Sequence, residues 1–154
     1  METQRYWLMK SEPNSYSIDD LKREKKTFWD GVRNYQARNT MRDDMRPGDL
    51  AFFYHSGGDA PGIAGVMEII KKGYPDHTQF DPDEKHFDPK SPADNPRWMM
   101  VDVKFRKKFD RPIPLSELKE TPGLEQMIVN QRGSRLSVQP VTPEEWNIVT
   151  GLRK

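Results

Sequence analysis

The chain has 154 residues, with 25 lysines and arginines against 24 aspartates and glutamates, so its formal net charge is +1. This balance excludes a global basic field, and any contact with nucleic acid would depend on a local patch. Because cysteine is absent, disulfides, a thiolate nucleophile and cysteine-ligated metals are excluded. No apolar run approaches the ~18 residues that span a bilayer, and the N-terminus lacks the apolar core of a signal peptide. We expect an intracellular protein without a membrane partner.

The first half of the chain predicts short elements separated by turns. Residues 5–10 predict a strand, which should end before Pro13 because proline disfavours helix in the residue that precedes it. Ser17 is a suitable N-cap for a helix over 18–24. A second helix is expected from about residue 33 to 45, and the apolar runs LAFFYHS and IAGVMEII predict a hairpin of buried strands.

The second half begins with a proline- and aspartate-rich segment, 73–97, which we expect to be a long ordered excursion over the surface. Residues 97–109 predict a strand, 115–120 and 124–129 short helices, 135–141 an edge strand because of Pro140, and 143–149 a helix capped by Thr142. Five or six strands with marginal helices and long connections indicate an α+β fold, a small curved barrel rather than a flat doubly wound sheet. No linker interrupts the chain, so 1–154 is predicted to be a single domain.

Polar side chains fall at or just beyond the ends of the apolar elements. Strand ends around a barrel mouth can converge on one concave site, so these residues could line a pocket. An equally open alternative is that the aromatic members belong to the core and the polar members are caps. The set consists of Ser11, Trp29, Asn34, Tyr54, His55, Ser56, Arg135 and Ser137, with Lys10 and Glu12 beside the first. Since neighbouring strand residues point to opposite faces, only one of His55 and Ser56 should face such a pocket.

Trp29 lies beside Gly31 in a stretch without periodicity, which predicts a loop. An indole face on a loop can stack on a planar ligand, an interaction worth ~1–3 kcal/mol for a nucleobase. The alternative is that Trp29 plugs one end of the barrel.

Two other patterns invite a functional interpretation but have simple structural explanations. His77 and His86 lie among carboxylates, yet their spacing matches no helix-borne pair of metal ligands, so a surface turn is favoured over a metal site. Arg38, Arg42 and Arg46 would share one face of the second helix, and Arg38 and Arg42 could track phosphates together with the distant stretch from Arg106 to Lys108. A solvated face balanced by neighbouring aspartates is the simpler interpretation.

Several ordered blocks together resemble the EVE-domain family: YWLMKSEP, YSIDDL, WDGVRNYQARN, GDLAFFYHS, PGIAGVMEI, YPDHTQFDP, PRWMMVDV and RLSVQPVTPEEW. The resemblance covers about residues 5–152. It implies a PUA-like fold, a curved barrel-like mixed sheet with flanking helices, and kinship with YTH and ASCH domains. It also implies a module that binds a modified base in DNA or RNA, with modified cytosine as the expected base.

The resemblance assigns ligand-binding roles to particular residues. Trp29 falls where YTH domains have a tryptophan of the base cage, while Trp98 is expected to pack in the core and supplies no second cage aromatic. The full predicted set is Lys10, Ser11, Trp29, Asn34, Tyr54, Ser56, Arg135 and Ser137. No catalytic residue, metal or cofactor is expected, and the protein is predicted to be a monomer. A short chain resembles the bacterial members, which implies a cytoplasmic location, or a nuclear one in a eukaryotic host.

Two functions of other classes stay open. One is a small nucleotide- or nucleoside-acting hydrolase of the ASCH type, although the sequence contains none of the common nucleophile, metalloprotease or phosphate-loop motifs. The other is a protein-interaction module that uses the segment 73–97, which could instead cover the pocket.

Overall fold

The computed structural model describes residues 4–57, 60–132 and 135–153. Within these ranges six strands form one mixed sheet in the order β2-β5-β4-β3-β1-β6. The strands are β1 (Tyr6–Ser11), β2 (Lys26–Trp29), β3 (Leu50–His55), β4 (Gly62–Pro75), β5 (Met99–Pro114) and β6 (Val138–Val141). β1 and β3 are parallel, and the other neighbours are antiparallel. The predicted α+β class is confirmed; the sheet is not closed, because β2 and β6 remain edges.

The sheet is strongly curved. In a flat sheet, three strand spacings of about 4.8 Å would place β2 about 14 Å from β3. The ring centroids of Trp29 on β2 and Phe53 on β3 are nevertheless only 5.3 Å apart. The curvature brings β2 over the middle of the sheet, and it creates a concave space where the strands end.

Each face of the sheet carries its own apolar cluster, because side chains alternate along every strand. The first cluster includes Trp7, Met9, Trp29, Phe53, Met67, Val101 and Val103, with Ile18, Leu21 and Met41 packed on it. The second includes Leu8, Phe52, Tyr54, Val66, Phe109 and Val141, with Leu118 and Trp146 packed on it. The helices therefore flank the sheet on both sides, as the sequence predicts.

Four α-helices are present in the described ranges: α1 (Ile18–Glu24), α2 (Tyr35–Asn39), α3 (Leu115–Glu120) and α4 (Pro143–Gly151). Ser17 and Thr142 form the predicted N-caps, and each is part of a capping box with an acidic side chain three residues later. Part of the predicted second helix is a π-helical turn, Thr40–Asp44, so α2 is shorter than expected. In these ranges no helix is long and apolar enough to cross a membrane.

β2 corrects the prediction that Trp29 lies on a loop. Lys26, Thr27, Phe28 and Trp29 pair directly with β5, from Lys104 to Val101. Their burial alternates, with Trp29 inward and Phe28 outward. A strand of four residues is too short for its period to stand out in the sequence. In contrast, β6 lies at the predicted edge, where Pro140 needs no ladder donor.

The predicted excursion is ordered by buried polar groups. β4 continues to Pro75, and a 3-10 helix follows at His77–Phe80. The buried side-chain amide of Gln79 donates to the carbonyls of Asp76 (2.6 Å) and Trp98 (2.9 Å). The indole of Trp98, which is buried as predicted, donates to Asp88 at 2.7 Å. These contacts fix both ends of the segment on the sheet.

Candidate functional site

A pocket of about 630 Å³ opens where β1 and β2 end. It is lined by three stretches of chain and by single residues from others. The lining consists of Lys10, Ser11, Glu12, Ser15, Tyr16, the run Thr27 to Arg33, Ser56, Lys85, His86, Arg135 and Ser137. A pocket of this size lies within the usual range of ~300–1,000 Å³ for small-molecule sites.

Backbone hydrogen bonds join the strand ends that line the pocket. The Lys10 amide donates to the Ser137 carbonyl, and the Ser56 amide donates to the Ser11 carbonyl, both at 2.9 Å. The Ser11 hydroxyl donates to the Tyr16 carbonyl at 2.7 Å, which holds the loop before α1 against β1. The apolar strand β1 thus runs into a polar stretch because that stretch is one wall of the pocket.

Six of the eight predicted ligand-binding residues line this pocket: Lys10, Ser11, Trp29, Ser56, Arg135 and Ser137. Asn34 and Tyr54 do not. The Asn34 side chain accepts from the Ala37 amide at 2.9 Å and serves as the N-cap of α2. Tyr54 is 3% exposed and packs in the second apolar cluster, beneath the Lys10 ammonium group. The structure thus places the Asn34 side chain in a helix cap and the Tyr54 side chain in the core.

Trp29 combines the two roles that the sequence left open. Its side chain is 8% exposed and meets Phe53 edge to face in the first apolar cluster, so most of the indole is core. The remaining surface contributes to the pocket. Trp29 is therefore a fixed wall element and not a freely exposed platform.

Phe28 is a pocket residue that the sequence analysis missed. Its side chain is 44% exposed, and its ring packs edge to face on His77 with centroids 4.9 Å apart. Side chains alternate between the two faces of a strand, so once β2 is recognised as a strand, Phe28 is expected to be exposed on the same side as Lys26. The sequence offered no other signal for Phe28.

Asp76 connects the pocket to the excursion. Its carboxylate is fully buried, and it accepts from the Gly31 amide at 2.8 Å and from the Arg33 guanidinium at 3.0 Å. It also accepts from the amide and the hydroxyl of Thr78. Burial alone would raise the pKa of this carboxyl, but the hydrogen bonds from Thr78, Gly31 and Arg33 bring it below its ordinary value.

Gly31 allows the excursion to come close to the pocket. Its φ is +80°, a conformation that glycine adopts without strain, and a Cβ there would lie 2.9–3.1 Å from the His86 ring. Arg33 also donates to the His86 carbonyl, at 2.6 Å. Lys85 and His86 are thereby held at the pocket, where no sequence motif indicated them.

The pocket mixes charges of both signs with free hydroxyl groups. Burial lowers the pKa of Lys10. Burial and then the negative charge of Asp76 raise the pKa of Asp30. The hydroxyls of Ser56 and Ser137 make no hydrogen bond to the described residues and remain available to a ligand, while Arg135 is exposed at the rim. Lys10 and Glu12 form no ion pair with each other.

In the structure, residues of the histidine and carboxylate segment and of the arginine set on the second helix contact other parts of the protein. Among residues 4–57, 60–132 and 135–153, no group of three or more histidine, aspartate or glutamate side chains could hold a metal ion. His77 packs on Phe28 instead. Arg38 donates to the Arg97 carbonyl at 2.7 Å, and Arg42 pairs with Asp43 at 2.8 Å.

Of the adjacent pair His55 and Ser56, only Ser56 lines the pocket, as alternation requires. Nε2 of His55 accepts from the Ile18 amide at 3.1 Å, at the start of α1. Burial lowers the pKa of this imidazole, while nearby Asp19 opposes the shift. His55 therefore supports α1 in its neutral form.

This arrangement predicts that stability falls in mild acid. The folded state disfavours protonation of His55, so the unfolded state binds more protons there, and the free energy of unfolding should decrease as the pH drops below about 6.5. His55→Gln keeps an acceptor but cannot titrate. We expect urea unfolding at pH 7.5 and 5.5 to show a smaller difference for His55→Gln than for the unchanged protein. Equal differences would contradict the role assigned to His55.

A curved mixed sheet that carries a polar pocket at its strand ends is the architecture of a PUA-like protein. The EVE domain model matches residues 5–152, and the chain belongs to the EVE-domain family. Human thymocyte nuclear protein 1 is 51% identical over 168 residues, which cover 97% of this chain and 74% of that protein.

Solved structures agree with this assignment. A protein from Pseudomonas syringae has a TM-score of 0.93 and 50% identity, covering 96% of this chain and 98% of that one. Human THYN1, in complex with DNA that contains 5-methylcytosine, has a TM-score of 0.90 and 50% identity over 97% of each chain. An ASCH protein from Zymomonas mobilis has a TM-score of 0.59 at 12% identity. That likeness concerns the fold alone and carries no argument for a hydrolase.

Proposed function

We propose that this chain binds DNA carrying a modified cytosine and receives the modified base in the pocket between β1 and β2. The observation that carries the proposal is a ligand-sized pocket, walled by Trp29 and ringed by free polar groups, in a chain 50% identical to a protein whose structure contains 5-methylcytosine DNA. DNA is favoured over RNA on the same ground. The monomeric state and the cellular location remain predictions.

The pocket offers groups that suit an extrahelical base. Turning a base out of the stack costs a few kcal/mol, and contact with the exposed surface of Trp29 would offset part of this cost. Cytosine presents an amine donor at N4 and two acceptors, the ring nitrogen N3 and the carbonyl oxygen O2. The Asp30 carboxylate can accept from the amine, and the hydroxyls of Ser56 and Ser137 can donate to the acceptors. Lys10 and Arg135 are placed for a neighbouring phosphate.

The proposal is tested with short oligonucleotides that differ only at one central base. We expect the oligonucleotide with 5-methylcytosine to bind more tightly than the one with cytosine by about tenfold, within the ~1–3 kcal/mol that a fitted methyl group supplies. Fluorescence anisotropy titrations measure the ratio. Equal affinities for the two oligonucleotides would refute the proposal.

A pair of matched variants locates the binding. The double change Ser56→Ala and Ser137→Ala removes two free hydroxyls from the pocket and should lower affinity for the 5-methylcytosine oligonucleotide. Ser116→Ala removes an exposed hydroxyl on α3, on the other side of the sheet, and should leave affinity unchanged. If both proteins bind as the unchanged chain does, the modified base is not held in this pocket.

A further inference from the structure

The described residues leave one face of the sheet near the pocket uncovered. Lys26 and Phe28 on β2 lie opposite Lys104 and Asp102 on β5, so all four side chains share a face. The other face of the same strands carries Trp29, Val101 and Val103, which belong to the first apolar cluster. Further along the sheet the uncovered face continues into the second cluster, which α3 and α4 cover.

Among the described residues, this face carries three lysines without an ionic partner, two acidic groups and one arginine. Lys26, Lys71 and Lys104 are exposed and form no ion pair within the described part of the chain. Asp102, by contrast, accepts from the Tyr74 hydroxyl at 2.5 Å. Glu68, beside Lys104 in the register, pairs with Arg106 at 3.1 Å. The face therefore presents net positive charge to solvent.

The face is continuous with the pocket through Phe28. Phe28 is one of the residues that line the pocket, its side chain is 44% exposed, and Lys26 lies two residues before it on the same side of β2. Asp102 on β5 is the partner of Phe28 on one side and of Lys71 on β4 on the other. The backbone of Lys71 therefore lies two strands from that of Phe28. Lysines beside an exposed aromatic ring match the chemistry of a nucleic-acid strand, which alternates phosphates with bases that can stack.

We propose that the surface formed by Lys26, Phe28, Lys71 and Lys104, here called the lysine face, binds the DNA strand on one side of the base in the pocket. The lysines contact phosphates, and the Phe28 ring stacks on a neighbouring base. The inference rests on the proposed function for the identity of the base in the pocket. Because phosphate contacts are independent of sequence, the lysine face should also bind DNA that carries no modified base.

The test uses an unmodified single-stranded oligonucleotide and its 5-methylcytosine counterpart, titrated by anisotropy at several salt concentrations. Lys26→Gln combined with Lys104→Gln should weaken binding of both oligonucleotides by the same factor. It should also reduce the slope of log affinity against log salt by about 0.7 for each phosphate that the protein no longer neutralises. Phe28→Ala should weaken binding of the unmodified strand by about tenfold, because the stacking surface is removed. Lys119→Gln, an exposed lysine on α3, is the matched control and should change neither quantity.

The outcomes separate this inference from the proposed function. If the lysine variant keeps the affinity and salt slope of the unchanged protein, the lysine face does not bind DNA, even when 5-methylcytosine is preferred. If lysine-dependent binding is found without any preference for 5-methylcytosine, the lysine face stands and the pocket assignment fails. A polyglutamate peptide of equal charge that binds as tightly as the oligonucleotide would show an acidic protein surface as the partner and overturn the inference. Thermal unfolding of each variant verifies that it is folded.

Discussion

Asp76→Ala is expected to lower the free energy of unfolding by about 3–5 kcal/mol, the usual cost of removing one member of a buried ion pair. The change leaves Arg33, whose side chain is only 21% exposed, without its carboxylate partner at 3.0 Å. It also leaves the amides of Gly31 and Thr78 without their acceptor. Because these groups fix the turn after β2 to the excursion, binding of the modified base should weaken as well. Chemical denaturation measures the first effect and anisotropy the second.

Two further changes make the prediction specific to Asp76. Asp76→Asn retains an acceptor but loses the charge, so its free energy of unfolding should lie between those of Asp76→Ala and the unchanged protein. Asp43→Ala removes an exposed aspartate paired with Arg42 and should leave stability nearly unchanged. Since the pKa of Asp76 is lowered in the folded state, its contribution is present at neutral pH and is lost as the pH falls through that lowered value. A stability of Asp76→Ala equal to that of Asp43→Ala would contradict the buried role.

Trp29→Ala is expected to cost about 3–5 kcal/mol of stability, as large-to-small changes of buried aromatic residues do, and to abolish the preference for 5-methylcytosine. The indole packs on Phe53 in the first apolar cluster, and its remaining surface is a wall of the pocket. Removing the indole therefore opens a cavity in the first apolar cluster and also removes one wall of the pocket. Trp29→Phe keeps an aromatic face and should retain part of both stability and preference.

Trp146→Ala is the control that separates binding from stability. Trp146 lies in the second apolar cluster, stacked against Phe52 with centroids 4.0 Å apart, and it does not line the pocket. It should lose a similar amount of stability while keeping the preference, when both proteins are compared at low temperature and shown to be folded. A preference that survives in Trp29→Ala, or that disappears equally in Trp146→Ala, would contradict the role of Trp29 in the pocket.

Local signals in the sequence were sufficient for most of the fold. The capping residues Ser17 and Thr142 are followed three positions later by acidic residues, and this pairing predicts where α1 and α4 begin. Pro140 predicts an edge strand because it cannot donate to a ladder. The pairing of β1 with β3 explains why Ser11 and Ser56 meet, since parallel neighbours end on the same side of a sheet.

The parts that sequence reasoning missed depend on distant contacts or on competing roles. Asp76 reaches Gly31 and Arg33 across more than 40 residues of chain, and no periodicity reports such a contact. Asn34 directly follows Arg33, the last residue of a stretch that lines the pocket. Asparagine is also among the best N-caps, and that role occupies its side chain. Tyr54 follows a register shift between Phe53 and Tyr54 on β3 and lies on the face of the second cluster.

The two edges of the sheet also bear on how the protein behaves at high concentration. An exposed edge is a template for pairing with another chain, which leads to aggregates, and natural proteins protect such edges with short strands, lysine and proline. β2 has four residues and carries Lys26, while β6 has four residues and carries Pro140. Both edges therefore carry features that disfavour strand addition from a second copy, which an incompletely closed sheet would otherwise invite.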